Sequence, residues 1–400
     1  MTTDPEAVGP LRGTRPANRR QLIVDAAADL FYRNGFADVG MSDVAAAVAI
    51  GPSALYRHFR GKQDLLATVV SAALAKLAAS LTAAESDESV DIATVLAAAA
   101  VDYRGVGVLW RREARHLLPA ERKAMRAETR RIEGRVAAAI VRTRGDLGSA
   151  EADFLAKCAL AVANSISFHG VSLPEPEFVT VLSDLVSSVL TARIPRVGER
   201  STGVIAQTAG ALTARSRREA ILAEATRLFA TNGYSSVSVD DIGACVGMAG
   251  PSVYNHFPNK SDILAAAIFR GDEYLQLEMN RAFAAARDPQ DGLHRLLVGY
   301  CTTFSDNPHI TTLIVSETMH LPEAERTRAR NAQHSYIAEW VHLLRLIHPE
   351  LDYARARLRV QAVQIMINEI VSLPSTNPTV PTALISIGAD IFGIRRLRRS

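Results

Sequence analysis

Two short strings in this 400-residue sequence carry the same donor groups at the same spacing: Tyr56-Arg57-His58-Phe59 followed by Lys62, and Tyr254-Asn255-His256-Phe257 followed by Lys260. A phenol, an imidazole and an ammonium at one rim suit an acceptor-rich polyanion, because such groups grip phosphate oxygens without reading sequence. The residue that differs inside the string differs in kind. Arg57 suits guanine O6/N7 and Asn255 suits adenine N6/N7, a good bidentate pair giving about 1–3 kcal/mol of discrimination. Bond-making chemistry is not indicated. There is no Gly-rich phosphate loop, HExxH or nucleophile elbow, and His334 and His342 stand too far apart for a metal pair. Cys158, Cys245 and Cys301 are widely spaced and read as small buried hydrophobes in a reducing compartment. No enzyme activity, cofactor or metal is expected.

The two strings sit inside a longer repeat. Residues 19–66 align with 217–264 without a gap, with 18 identities in 48 positions. Apolar residues fall at helical spacing in both copies: Ile23, Ala27, Leu30, Phe31 and Ile221, Ala225, Leu228, Phe229. Asn34-Gly35 and Asn232-Gly233 supply the positive-φ stop that a helix end favours. A brief helix from Ser42 to Val48, a turn, a short helix through Tyr56 to Phe59 and a long one from Lys62 are predicted. Val44, Val48 and Leu55, with Ile242, Val246 and Val253, should pack the short helices together, and Phe59 and Phe257 should be core. The repeat resumes where Glu113, His116 and Leu117 match Glu317, His320 and Leu321, after an insertion near 302–309. The pattern implies an all-α chain of two repeats: modules at 15–66 and 215–264, helical regions at 67–193 and 265–395, and a linker at 194–214.

A helix, a turn and a second short helix packed on a preceding amphipathic helix fits the DNA major groove. The strings LYRHFRGKQDLL and VYNHFPNKSDIL, after Gly35-Phe36 and Gly233-Tyr234, resemble the N-terminal module of TetR-type transcriptional repressors. That resemblance covers the 48-residue modules; beyond 70 and 268 it extends only to helical character. It implies phosphate contacts from Tyr56, His58, Lys62, Tyr254, His256 and Lys260, and adds Ser238, at a helix start, to the DNA-binding residues. It places base reading at Pro52, Ser53, Ala54 and Arg57, and at Gly250, Pro251, Ser252 and Asn255. The copies depart from the pattern differently: Gly40 and Ala49 stand where copy two keeps Ser238 and Gly247, and Gly51 and Ala249 replace a capping Ser. Residues 13–66 carry net +2 and 211–264 net zero, so an operator with two unlike half-sites is expected. Arg12, Arg15, Arg19 and Arg20, with Arg215, Arg217 and Arg218, could extend the phosphate contacts.

The resemblance also implies a small-molecule effector and pairing through C-terminal helices. In a covalent repeat this becomes an intramolecular pseudo-dimer, helices near 152–192 packing on those near 354–395, alone or as a dimer of such chains. Trp110, His116 and Asn164, with Tyr300, His309, Glu317, His320, Trp340 and Asn368, are candidate effector-pocket groups. The double-length form resembles actinobacterial repressors of lipid-import or lipid-catabolism operons, which would suit a lipophilic effector. The alternative is a ligand sensor acting through protein partners, one or both reading heads having lost DNA. With net charge +3, DNA affinity must come from local clustering. The first twenty residues hold no apolar signal segment, and the aliphatic run at 92–101 falls short of the about 20 residues of a span. A cytoplasmic, nucleoid-associated protein without membrane contact is expected; the basic tail 394–400 reads as solvated.

Overall fold

A computed structural model describes residues 18–87, 90–196, 216–373, 377 and 379–394. Repeat one contains α1 (Arg19–Asn34), α2 (Met41–Ala47), α3 (Pro52–Leu55), α4 (Lys62–Glu85), α5 (Ile92–Asp102), α6 (Val106–Glu113), α7 (Pro119–Thr143), α8 (Ser149–Asn164) and α9 (Glu177–Leu190). Repeat two contains α10 (Arg217–Asn232), α11 (Val239–Cys245), α12 (Gly250–Val253), α13 (Lys260–Ala285), α14 (Pro289–Asp306), α15 (Pro308–Ser316), α16 (Glu323–Ile347), α17 (Tyr353–Val371) and α18 (Val380–Phe392). Among the described residues there is no strand. Helix α14 has 18 residues where α5 has 11, so the insertion is extra turns on one helix.

Each head is a small core of its own. Ile23, Ala27 and Phe31 of α1 close on Val44, Leu55 and Phe59, and Ile221, Ala225 and Phe229 close on Ile242, Val253 and Phe257. Gly35 and Gly233 end the first helices at φ +84° and +81°, their amides donating to Phe31 and Phe229. Helix α4 is long and apolar enough to cross a membrane by length and composition alone. In the fold its Leu65, Leu66, Val69 and Val70 are spent on the first head's core.

The helical regions that follow the two heads share one core. Helices α8 and α9 pack on α17 and α18, and Leu155, Val162 and Val186 join Val363, Ile367 and Ile387 in a single buried cluster. Arg355 of α17 pairs with Glu177 of α9, and Ser386 Oγ donates to the Arg193 carbonyl at 2.9 Å. Cys158 and Cys301 are buried as expected; Cys245 is exposed, correcting the sequence reading. Of the linker, only 194–196 lie within the described residues. Arg12, Arg15, Arg215 and 395–400 lie outside them.

Candidate nucleic-acid interface and effector cavities

Helices α3 and α12 begin with Pro at N1 and N2 respectively, where a missing N–H costs nothing and φ is already helical. No side chain caps either start. Their outward faces differ. In the first head Pro52, Ser53, Tyr56, Arg57 and His58 are exposed, with Ala54 half-buried. In the second, Pro251, Tyr254 and Asn255 are exposed and Ser252 and His256 half-buried. Gly250 is buried, which removes it from the base-reading set. A Cβ there would stand 1.7 Å from Asp240 Oδ1, so the glycine exists to let that carboxylate close over the helix start. The two heads therefore place unlike side chains on one backbone shape.

Several other expected contacts are already committed elsewhere. Lys62 donates to the Ala37 carbonyl at 3.0 Å and lies 4.4 Å from the Phe36 ring centroid; Lys260 lies 4.1 Å from that of Tyr234. Burial pulls both ammonium groups below their ordinary pKa. These lysines brace the segment after the first helix instead of standing free at the rim. Ser238 caps α11: its hydroxyl accepts from the Asp241 amide at 3.0 Å and donates to Asp241 Oδ2 at 2.6 Å. In copy one Gly40 keeps only half of this box, its amide donating to Asp43 Oδ2 at 2.7 Å. Arg20 and Arg218 lie 5.0 and 4.3 Å from the Phe59 and Phe257 rings, and Arg217 donates to the Val246 carbonyl at 3.1 Å. At the turn, Gly247 adopts φ +67° freely, whereas Ala49 is forced to φ +54°. An L-residue there bears roughly 1–2 kcal/mol of strain.

Under each head lies a glutamate that both repeats keep. Glu113 Oε1 accepts from the Phe36 amide at 3.4 Å, and Glu317 Oε2 accepts from that of Tyr234 at 3.2 Å. His116 stacks on Phe36 and His320 on Tyr234. This corrects the sequence reading of His116, Glu317 and His320 as pocket groups: they are the joint between each head and the helices that follow it. The joint also crosses repeats. Arg115 Nη1 of the first repeat reaches Glu317 Oε1 of the second at 2.6 Å and fills the space over Gly233. The equivalent residue of the second repeat, Met319, lies over Gly35 with its Cε 3.0 Å from a Cβ position there. One head thus rests on a cross-repeat ion pair and the other on a thioether.

The family model described as bacterial regulatory proteins, tetR family, matches residues 23–69 and again 221–267. The chain thus contains two segments that match this family model, one in each head. It is 29% identical over 167 residues to the HTH-type transcriptional regulator LmrA of Bacillus subtilis, covering 40% of this chain and 89% of LmrA. It is 31% identical over 96 residues to the regulator EthR of Mycolicibacterium smegmatis, covering 23% of this chain and 43% of EthR. A TetR-family regulator from Bordetella parapertussis superposes on 45% of this chain and 95% of its own at TM-score 0.42 and 19% identity.

Two cavities lie in the helical regions beyond the heads, and each is walled by both repeats. The first, about 420 Å³, has Trp110 and Asn164 in its lining, closed by Glu369, Ile370 and Leu373 of repeat two. The second, about 270 Å³, has Tyr300 and Asn368, with Arg112 and Phe168 from repeat one. Phe168 lines both. Tyr300 donates to Asn368 Oδ1 at 3.0 Å. Trp340 is fully buried and His309 exposed, and neither lines these cavities. The sequence reading missed Arg111, Arg112, Arg115, Asp272, Met319 and Glu369. A signal existed for one pair: aligning Glu113 with Glu317 sets Arg115 against Met319.

Proposed function

We infer that this chain is a transcriptional repressor that grips an asymmetric operator with two unlike heads and is released by a small lipophilic effector held in the regulatory cavities. The observation that carries this is the pair of heads with different exposed groups, Arg57 against Asn255, fastened to one shared core. Phosphate contacts would come from Tyr56, His58, Tyr254 and His256, and base reading from Pro52, Ser53, Ala54, Arg57, Pro251, Ser252 and Asn255. The packing of α8 and α9 on α17 and α18 supports an intramolecular pseudo-dimer. Two-fold readers set their helices about 34–36 Å apart, one turn of DNA, and the same spacing is expected here. Apolar cavity walls support effectors and target genes of lipid uptake or breakdown, and the repressor would act on the nucleoid.

Footprinting of genomic fragments over a salt series tests this. Protection of one discrete site with unlike halves, weakening steeply with salt as counterions are released, is the expected outcome. Equal affinity for perfect palindromes of either half would remove the asymmetric grip. The uncapped α3 and strained Ala49 favour a second reading, a ligand sensor working through a protein partner. Absence of any footprint, with partner capture dependent on the heads, would select it.

A further inference from the structure

Helix α6 carries two adjacent arginines into different surroundings. Arg111 Nη1 lies 2.7 Å from Glu369 Oε2 and its Nη2 3.0 Å from Ser372 Oγ, so this cation on the first cavity's wall is already neutralised, and Arg126 on the same wall is exposed to solvent. Lys157 in that cavity faces Glu133. Arg112 enters the second cavity from the opposite repeat, partly buried, and among the described residues it makes no hydrogen bond or ion pair. Its attraction to Glu113 is indirect, because that carboxylate is turned to the Phe36 amide and His116. Another lining group is also unspent. Gln364, 6% exposed, leaves Nε2 without an acceptor.

A desolvated cation and a buried donor with nothing to bind are costly unless a ligand satisfies them. Both call for an acceptor-rich anion. The rest of the wall includes Ile268, Leu275 and Phe304, together with the Asp272 carboxyl, whose buried Oδ2 has no partner and whose pKa burial raises to about 6, so that an anionic head must sit at the Arg112 end away from it. A volume of 270 Å³ equals roughly nine waters at about 30 Å³ each, the bulk of a short acyl chain with its head. The arginine belongs to this cavity alone, since its counterpart in repeat two is Ser316.

We propose that the second cavity binds a short- to medium-chain carboxylate, its head paired with Arg112 and Gln364 and its chain among Ile268, Leu275 and Phe304. This deepens the effector reading above and rests on it for its regulatory meaning. The anchor is supplied in trans by the neighbouring repeat. The same α6 that holds Arg112 also carries Glu113 under the first head, and Arg115 under the second follows it directly. Occupancy of one cavity is therefore transmitted to both heads.

Calorimetric titration of the full chain with octanoate, octanol and octylamine tests the assignment. Saturable octanoate binding is expected, with octanol and octylamine at least tenfold weaker. Arg112→Gln should lower octanoate affinity at least tenfold and leave octanol unchanged. Should that variant unfold, the ligand series on the unaltered chain decides alone. Equal binding of octanol and octanoate, no octanoate binding, or an Arg112→Gln chain that binds octanoate as before overturns the proposal. DNA occupancy measured with and without octanoate separates the two claims. Arg112-dependent binding without release of DNA refutes the effector reading and leaves the site intact.

Discussion

Replacing Arg115 by Met gives the second head the joint that the first already has. Glu317 is 3% exposed in its side chain and Arg115 27%, with 2.6 Å between Oε1 and Nη1. At an effective dielectric near 20 the attraction is roughly 6 kcal/mol before desolvation is subtracted. Breaking a buried pair typically costs about 3–5 kcal/mol, because one charge is left uncompensated. Here the arginine keeps some contact with water and Glu317 retains the Tyr234 amide and His320. We therefore expect a loss of about 2–3 kcal/mol, confined to the second head. Hydrogen exchange reports it directly: amides of 217–257 should exchange about 30- to 150-fold faster by local opening, those of 19–59 unchanged. Glu317→Gln added to Arg115→Met should recover part of the loss, since the stranded charge is gone. The cost should also shrink at acid pH. Burial is the main force lowering the His320 pKa and Arg115 adds to it, so without Arg115 the ring protonates more readily beside Glu317. Equal loss in both heads, or additive single and double variants, would refute the cross-repeat joint.

Ala49→Gly should stabilise the first head by about 1 kcal/mol by relieving the left-handed strain at φ +54°, read as slower exchange in α2 and α3; no gain would mean the turn relaxes in solution. Gly250→Ala should disorder the start of α12 through Asp240 and abolish binding to the second half-site, whereas Pro52→Ala at the matching position keeps the first head folded. Arg57→Ala and Asn255→Ala should each cost about 1–3 kcal/mol of discrimination at one half-site only, measured by competition between half-site variants; loss at both halves would contradict separate reading. Asp272 is raised by burial to about 6, against a pull downward from Arg328 and a small push upward from Glu273. Its proton is held more tightly in the folded chain than in the unfolded one, so stability should fall as pH rises from about 4 through about 6. In Asp272→Asn that decline in melting temperature should vanish; an unchanged profile would place its origin elsewhere.

Much of the head was legible because its physics is local. Ile23, Ala27 and Phe31 lie on one helical face by spacing alone, Gly35 and Gly233 mark helix ends, and Asp43 and Asp241 sit three residues after their N-caps. Arg57 and Asn255 could be placed outside because Leu55 and Val253 two residues earlier had to be inside. Lys62 and Lys260 make intramolecular contacts that spacing cannot reveal. Their ammonium groups fold back onto Phe36 and Tyr234, aromatic rings about 26 residues away in sequence whose nearness depends on how the first helix meets the fourth.

By itself the sequence determined that one helical module occurs twice, where its helices stop, and that the two copies carry different side chains at matching positions. These follow from periodicity and from single-residue backbone preference. Only the tertiary structure decided that Arg115 props the other repeat's head, that Arg112 opens into the other repeat's cavity, and that Glu317 and His320 form a joint instead of a pocket. Each of those depends on burial and on pairing between residues far apart in the chain, Arg115 with Glu317 across 202 positions and Tyr234 with Glu317 across 83, and a linear pattern holds neither quantity.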